Sequence, residues 1–564
     1  MLFLLWLAAL SFEKVPLEQV PAERCNLIDV DGDGWLDVCA KNQVFLSLRG
    51  AGWGPGRELG PGLSYCVWAD LDSDGRLDGL GITRQTAAEF AQTPRHHRVF
   101  LSGQWLDSQE FALPFHWNTL GVALSDLDRD GKLDVAFGQA YMDESKGYEA
   151  QQMRVYAGHG DGRFVEKTEE WGFLTPGPPG AANGGRPLYG LSAADLDNDG
   201  FPELLGAAYG RQWNTLWKRG VEAVYSECGA KYGLDGDSIR HGQYSEATRE
   251  KFRQRNQPRP DELPFRSNGN TFCLAPADFD GDGDLDVFSA DITHSWAGDS
   301  SDLSALLINR WETFQEPFFE RCIEVLAEPD PETGFAARPT RGLARDHAPQ
   351  PATNWNQGDL QAHWVDLDCD GRLDLIVCES DYPGNRLRIF LQNSDHSFRE
   401  AEKELGIDFN NCPGVAVGDL DRDGDPDLIT LGTRTRWPEA RPKPELVLWR
   451  NGSANASLNL RLVGDGKTAN RDAIGARIYL ETDQGTQMRE LQGSYGHWGQ
   501  QTQPGEAHFG LGGALPKKIR IVWPDRAASQ TLIENPPTGG WLVIHQAGGE
   551  SARMNRFEAG KWIR

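Results

Sequence analysis

One acidic nonapeptide returns seven times along the chain: DVDGDGWLD from Asp29, DLDSDGRLD from Asp70, DLDRDGKLD from Asp126, DLDNDGFPE from Asp195, DFDGDGDLD from Asp278, DLDCDGRLD from Asp366 and DLDRDGDPD from Asp419. Successive copies start 41, 56, 69, 83, 88 and 53 residues apart, so the units share a frame while the middle ones carry insertions. A motif repeated at this period builds the fold from stacked copies of one supersecondary unit. Each copy lies between short apolar runs, such as VALS before and LDVAFG after the third, which reads as strand, tight loop, strand. A third β-rich stretch follows in most units (NQVFLSL, MRVYAG, NRLRIFLQN, ELVLWRN) and a fourth in several (DGRFVEKTEEWGF, DHSFREAEKELGI). Four strands per unit, seven times over, predict an all-β chain with a seven-bladed β-propeller over 12–452. The last unit lacks an obvious fourth strand, and the segment from Phe12 to Val20 is expected to supply it and close the ring.

The motif has the residue types a hard cation needs. Ca²⁺ takes six to eight oxygens, and a short loop delivers them when alternate carboxylates converge around a sharp turn. Positions 1, 3, 5 and 9 are Asp29, Asp31, Asp33 and Asp37 in the first copy, and Asp70, Asp72, Asp74 and Asp78 in the second. They are Asp126, Asp128, Asp130 and Asp134 in the third, then Asp195, Asp197, Asp199 and Glu203 in the fourth. The fifth has Asp278, Asp280, Asp282 and Asp286, the sixth Asp366, Asp368, Asp370 and Asp374, and the seventh Asp419, Asp421, Asp423 and Asp427. Glycine at position 6 permits the turn. An EF-hand shares the early spacing but needs a bidentate Glu at position 12. Here that position is Ala40, Gly81, Phe137, Gly206, Ser289, Val377 or Thr430, which excludes it. Up to seven Ca²⁺ ions are the expected cofactors, and seven would bring the formal charge from −27 to −13. Their expected role is to pin the hairpins, since binding to sites absent from the unfolded chain adds to folding stability.

The remaining composition excludes some partners. At −27 with no long basic run, the chain has no footprint for nucleic acid. The apolar start MLFLLWLAAL is too short to span a bilayer, and no later stretch approaches the necessary length. Residues 1–11 read as a signal peptide core, placing the protein outside the cell, at its surface or in the periplasm. Nine cysteines leave at least one unpaired, and Cys25 with Cys39, flanking the first loop, is the best candidate disulfide.

The acidic repeats resemble the FG-GAP and VCBS repeats of integrin-type propellers over roughly residues 20 to 450. In that family the Ca²⁺ loops lie on one face and partners often bind the other; this chain differs from integrin α-subunits in keeping an acidic loop in every unit. Past Asn451 the loops stop. NRDAIGARIYL from Asn470, HFGLG from His508 and VWPD from Val522 resemble the ASPIC/UnbV domain that follows such propellers in the cartilage acidic protein 1 family. The segment GSYGHWGQQ departs from that family's usual glycine, aromatic, Ser-Gln pattern. The expected organisation is therefore 12–452 propeller, 453–548 small β-rich domain and 549–564 tail. His508 and Trp523 read as packing and turn residues.

Two functions follow. The first is a secreted recognition or adhesion module that presents a propeller face to a protein or glycan; no GxSxG, HExxH or Walker loop is present. The alternative is an enzyme using the axial funnel, with candidates in the insertions of units four to six: Trp213, His241, Asp291, His294, Asp346, His347, Trp355 and Asp359. A scaffold in a larger surface assembly is a weaker third, and the oligomeric state is not readable from sequence.

Overall fold

The computed structural model describes residues 10–563 except 19, 86–88, 90–91, 102–108, 112–117, 142–149, 176–184, 245, 255, 257, 264–265, 295–300, 323–355, 383–384, 500, 547–553 and 559–560. The expected signal segment and the candidates Asp346, His347 and Trp355 lie largely or wholly outside these residues, as does the side chain of His294.

The strands form four-stranded antiparallel units, each with its acidic loop between the first and second strands. Unit 1 comprises Cys25–Ile28, Asp37–Ala40, Gln43–Phe45 and Arg57–Glu58. Unit 2 comprises Leu63–Ala69, Asp78–Thr83, His97–Phe100 and Gln109–Phe111. Unit 3 is Thr119–Ser125, Asp134–Gln139, Arg154–Gly158 and Phe164–Glu166. Unit 4 is Leu188–Ala194, Glu203–Ala208, Thr215–Arg219 and Tyr225–Glu227. Unit 5 is Asn270–Ala277, Asp286–His294, Ala305–Asn309 and Phe319–Cys322, and unit 6 is Asn356–Val365, Asp374–Glu379, Leu387–Gln392 and Phe398–Glu400. Unit 7 has Gly414–Gly418, Asp427–Gly432 and Glu445–Asn451 from the C-terminal end of the array, and Phe12–Pro16 as its outer strand. Phe12 lies opposite Asn451 and Pro16 opposite Val447, so the two ends of the array are joined by backbone hydrogen bonds.

Burial explains why the units assemble in sequence order. The first two strands of most units are buried along both faces, so each unit must be covered twice. Apolar clusters fill each junction. Leu27, Val38 and Phe45 meet Ile429 and Leu448 between units 1 and 7, and Ile28 and Val44 meet Trp68 and Phe100 between units 1 and 2. Equivalent clusters join units 2 and 3, 3 and 4, 4 and 5, 5 and 6, and 6 and 7. The all-β reading is borne out: among the described residues helices are few and short, the longest being Glu246–Gln254.

The same pleat rule corrects the expected disulfide. Cys25 lies opposite Ala40 and Cys39 opposite Asn26, one residue out of step, so their side chains leave opposite faces of the sheet. Cys25 packs into the junction with unit 7 and Cys39 into that with unit 2. All nine cysteines are free thiols.

After Asn451 the chain forms two further sheets. One contains Glu506–Gly510, Ser457–Val463 and Gly540–His545, the last two parallel; the other contains Thr486–Glu490, Arg477–Thr482, Pro516–Val522 and Gln530–Glu534. Leu458, Leu460, Ile478, Phe509, Ile519 and Trp523 fill the space between them. The stretch read as a tail contributes Met554–Glu558 and Lys561–Ile563, which extend the first sheet.

Because the acidic loops occupy one end of the units, the connections from second to third strand and from each unit to the next lie at the other. The long connection between Tyr225–Glu227 and Asn270–Ala277 is among them. Deleting residues 10–16 leaves Glu445–Asn451 as a bare edge. Thermal unfolding should then show a melting temperature lower by on the order of 5–10 °C, with light scattering at lower protein concentration than the intact chain.

Candidate functional site

The acidic loops share one internal wiring. The glycine N–H at position 6 donates to the first-position carboxylate at 3.1 Å in loop 1, 2.8 Å in loop 2, 2.9 Å in loop 3 and 2.8 Å in loop 6. Position 5 N–H donates to the position 3 carboxylate, and position 7 N–H to that of position 5. The ninth residue closes the loop: its Oδ2 accepts the position 2 N–H in loops 1, 2, 3, 6 and 7, at 2.8 to 2.9 Å, and Glu203 does the same from its longer stem. In five loops its other oxygen accepts an N–H at or just beyond the end of the third strand, from Ser47, Gly158, Asn309, Gln392 or Asn451. The ninth position is thus a clasp across three strands as well as a carboxylate of the loop.

The clasp extends between units. Asn451 Nδ2 donates to the position 8 carbonyl of its own loop, Pro426, and to the position 2 carbonyl of the preceding loop, Leu367. Gln392 makes the same pair of bonds to Leu373 and Phe279, and Asn309 to Leu285 and Leu196. In unit 4 the Tyr225 hydroxyl serves Pro202 and Leu127 instead.

Position 4 adopts a left-handed backbone in every copy: φ is +62° at Ser73, +56° at Arg129, +62° at Asn198, +57° at Cys369, +61° at Arg422, +73° at Gly32 and +75° at Gly281. Non-glycine residues there are strained, and strain of this kind persists where the surroundings fix it.

The carboxylates of loops 1 to 5 converge. Oxygens of Asp29, Asp31 and Asp33 lie within 4.8 Å of one another, as do those of Asp70, Asp72 and Asp78, of Asp126, Asp128 and Asp134, of Asp195, Asp197 and Asp199, and of Asp278, Asp280 and Asp282. One buried oxygen each of Asp29, Asp195, Asp278, Asp286 and Asp419 accepts no hydrogen bond. Buried, partnerless carboxylate oxygens facing other carboxylates form a donor set that suits a hard cation, so the residues present fit one. Burial first, and neighbouring carboxylates second, push Asp70, Asp126 and Asp419 up to about 8, and hold Asp134, Asp286, Asp374 and Asp427 well above the usual range. Loop 4 already contains a cation: Lys218 Nζ contacts Asp197 and lies 3.5 Å from both Asp199 and Glu203.

The C-terminal domain sits on this acidic face, largely through positions 1 and 4. Arg461 reaches Asp29 at 3.2 Å, Asp472 accepts the Asp70 N–H at 2.6 Å, the Gly510 N–H donates to Asp366 at 2.9 Å, and Trp541 Nε1 donates to Asp419 at 3.1 Å. The strained position 4 side chains turn the same way. Arg129 donates to the Asp525 carbonyl, Asn198 accepts from Arg477, Cys369 lies 3.7 Å from His508, and Arg422 pairs with Glu506 at 3.2 Å. His508 is therefore more than a packing residue: it sits 3.1 Å from the Asp366 carbonyl, and burial lowers its pKa to about 3, so it is neutral. Trp523 is a core residue, 1% exposed, with Nε1 donating to Thr531.

Between its two halves the domain sends residues 492–499 and 501–503 into the axis of the ring. Gly496–His497 pairs with Gly121 of unit 3 and with Gly190 and Leu191 of unit 4. Ser494 Oγ donates to Val122, Gln492 to Pro276, Gln501 to Trp68, and the Asp29 N–H donates to Gln503. Gln361 donates to the His497 carbonyl, and Asn26 to that of Gly499. The plug thus holds first strands, or the loop after one, in units 1 to 6. Glycine is required where it threads: a Cβ on Gly493 would stand 2.2 Å from the Leu124 carbonyl oxygen. His497 lies against Tyr189 and Phe272, and Trp498 against Tyr65.

The described candidates for an axial active site do not meet in this space. Trp213 donates to Ser267 and lies beneath Arg240, and His241 is exposed, its Nδ1 accepting the Gln243 N–H. Asp291 and Asp359 are buried and linked through Ser304, with Thr271 and Ser289 completing the bonds to Asp291 at 2.6 Å. The plug and the position 4 contacts were the site residues that motif reading missed; the glycine and aromatic mixture of GSYGHWGQQ was the signal available.

Family models match two parts of the chain: residues 348–430 match an FG-GAP-like repeat, and residues 466–551 match ASPIC and UnbV. The chain carries both domains. No curated protein is significantly similar in sequence. Among solved structures, BBS1N in complex with ARL6DN is 9% identical, with 79% of this chain and 98% of that one covered and a TM-score of 0.39. The V. cholerae biofilm matrix protein Bap1 is 13% identical, with 79% and 92% covered and a TM-score of 0.33. The exotype rhamnogalacturonan lyase YesX is 13% identical, with 94% and 76% covered and a TM-score of 0.31. Among the described residues no helix is long and apolar enough to cross a membrane.

Two outcomes follow from this geometry. A carboxylate whose pKa is raised on folding stabilises the fold below its unfolded value near 3.8 and loses that contribution as pH rises through the folded value. With divalent ions chelated, the chain should melt at a higher temperature at pH 5 than at pH 8, the loss tracking Asp70, Asp126 and Asp419 at about 8. Arg422→Ala leaves Glu506 with only the more distant Arg461, 3.9 Å away, in an interface where the arginine side chain it loses is 1% exposed, and should cost about 3 kcal/mol in denaturant unfolding.

Proposed function

We propose that this protein is an exported, calcium-braced recognition module that binds a protein or glycan partner on the face away from the acidic loops. The observation that carries this reading is the placement of the C-terminal domain. It covers the loop face and enters the axis from that side, which leaves the opposite face, where the long connections emerge, as the large surface open to a partner. The acidic loops serve as braces in this reading. Their carboxylates are tied to backbone N–H groups and to the C-terminal domain, and Ca²⁺ would neutralise the partnerless oxygens of Asp29, Asp195, Asp278 and Asp419. Up to seven ions are proposed, with loop 4 the weakest site because Lys218 competes for it.

Metal analysis of the purified chain should find calcium in a ratio approaching seven. Chelation should lower the melting temperature at pH 8, and Ca²⁺ should restore it better than Mg²⁺, whose octahedral preference suits these loops less. An unchanged melting temperature after chelation, with no calcium bound, would overturn the bracing role. For the partner face, binding to an array of secreted proteins and glycans should be lost in Arg436→Ala combined with Tyr382→Ala, which remove a stacked pair 4.6 Å apart. It should survive Arg76→Ala on the loop face. The reverse pattern would place recognition on the acidic face.

A further inference from the structure

At the end of the axis away from the acidic loops, the plug stops short of the surface and leaves a cavity of about 320 Å³. Trp498, the tip of the plug, lines it together with Tyr65, Arg24, Gln361, Asn26 and Thr433. Two guanidinium groups meet there. Arg24 lies 5.3 Å and Arg84 4.7 Å from the centre of the Trp498 ring. Arg84 is bound to the neutral side chain of Asn118 through two nitrogens, both at 3.1 Å. Arg24 Nη1 is buried and has no hydrogen-bond partner. The acids nearby are committed elsewhere: Glu23 pairs with Lys41 at 3.6 Å, and Asp381 with Arg436 at 3.5 Å.

Arg24 is only partly buried as a residue, but a guanidinium nitrogen buried without a counter-charge is costly, and that cost is relieved by an anion that can accept from it. Burial first, and Arg84 in part, lower the Arg24 pKa to about 10, in keeping with the missing partner. The rest of the lining narrows the kind of anion. Gln361 is 4% exposed, its amide nitrogen is fixed on the His497 carbonyl at 3.1 Å, and its Oε1 is buried with no donor. An oriented acceptor beside an unpaired cationic donor suits a ligand carrying both a carboxylate and hydroxyl groups. Neutral hydroxyl and amide groups of Ser64, Asn26, Thr433 and Thr435 surround the pair, and the volume lies at the lower end of small-ligand pockets, enough for a pyranose ring.

We infer that the axial cavity is a binding site for an acidic sugar, with Arg24 holding the carboxylate and Gln361 Oε1 accepting from a ring hydroxyl. This deepens the recognition reading by naming the chemical class bound at the centre of the partner face. It concerns only that cavity.

The test uses the full chain with D-glucuronate and D-galacturonate as probes, and D-glucose and sulfate as comparators, followed by calorimetry or saturation-transfer NMR. One or both uronates should bind, with glucose and sulfate at least about tenfold weaker, since each lacks one half of the recognition. Arg24→Gln should weaken the uronate by at least about tenfold while leaving the melting temperature of the free protein equal or higher. Should that variant fail to fold, Gln361→Glu places a negative charge at the same cavity and should abolish uronate binding. Equal binding of glucose, equal binding of sulfate, or unchanged uronate affinity in either folded variant overturns the inference. If no uronate binds but the array partner is still lost in the Arg436 and Tyr382 variant, the acidic-sugar site falls and the recognition reading stands. If uronates bind as stated and no array partner is found, the site stands without it.

Discussion

The structure depends on the carboxylate at the ninth position of each acidic loop. In six of the seven loops it receives the N–H of position 2 on one oxygen, and in five it receives an N–H at the end of the third strand. A hairpin loop with four carboxylates in nine residues would otherwise splay apart from its own repulsion. Spending the carboxylates as acceptors for backbone N–H groups turns a repulsive cluster into a rigid corner. Because Tyr225, Asn309, Gln392 and Asn451 reach from one corner to the preceding one, the corners of loops 4 to 7 also position their neighbours.

That corner produces a second consequence at position 4. The turn that brings the carboxylates together forces this residue to positive φ, which costs energy for any side chain but glycine. Four of the five non-glycine residues found there, Arg129, Asn198, Cys369 and Arg422, make contact with the C-terminal domain. A position that the loop leaves unconstrained in identity, but fixes in direction, has become the docking contact. The two domains are therefore joined through the same turns that shape the acidic clusters.

The sequence reveals the units and their order because the loop motif is local: its spacing, its glycine and its flanking apolar runs all lie within some twenty residues. The outer strand near Phe12 was legible from a deficit, the missing fourth strand after Asn451. The Cys25–Cys39 pairing failed because register decides which face a side chain takes, and a shift of one residue cannot be seen without the partner strand. The plug was not legible either. Gly493, Tyr495, His497 and Trp498 are recorded in sequence as a turn, and only the proximity of strands from six units, hundreds of residues away, gives that turn its place. The insertion candidates show the same limit: Asp291 and Asp359 do lie near each other, but as a buried pair sharing Ser304 rather than lining an open site.

The pairing of Phe12 with Asn451 also sets a timetable for the nascent chain. Its first strand leaves the ribosome some 440 residues before its partner, an interval of roughly 20–90 s at about 5–20 residues per second. Throughout that time the apolar flank of unit 1, including Leu27 and Val38, is bare toward a neighbour not yet synthesised. The axis stays open longer still, until Trp498 emerges. Any chaperone that escorts this protein must shield one open junction for most of its synthesis, and a chain released early would carry that adhesive edge with it.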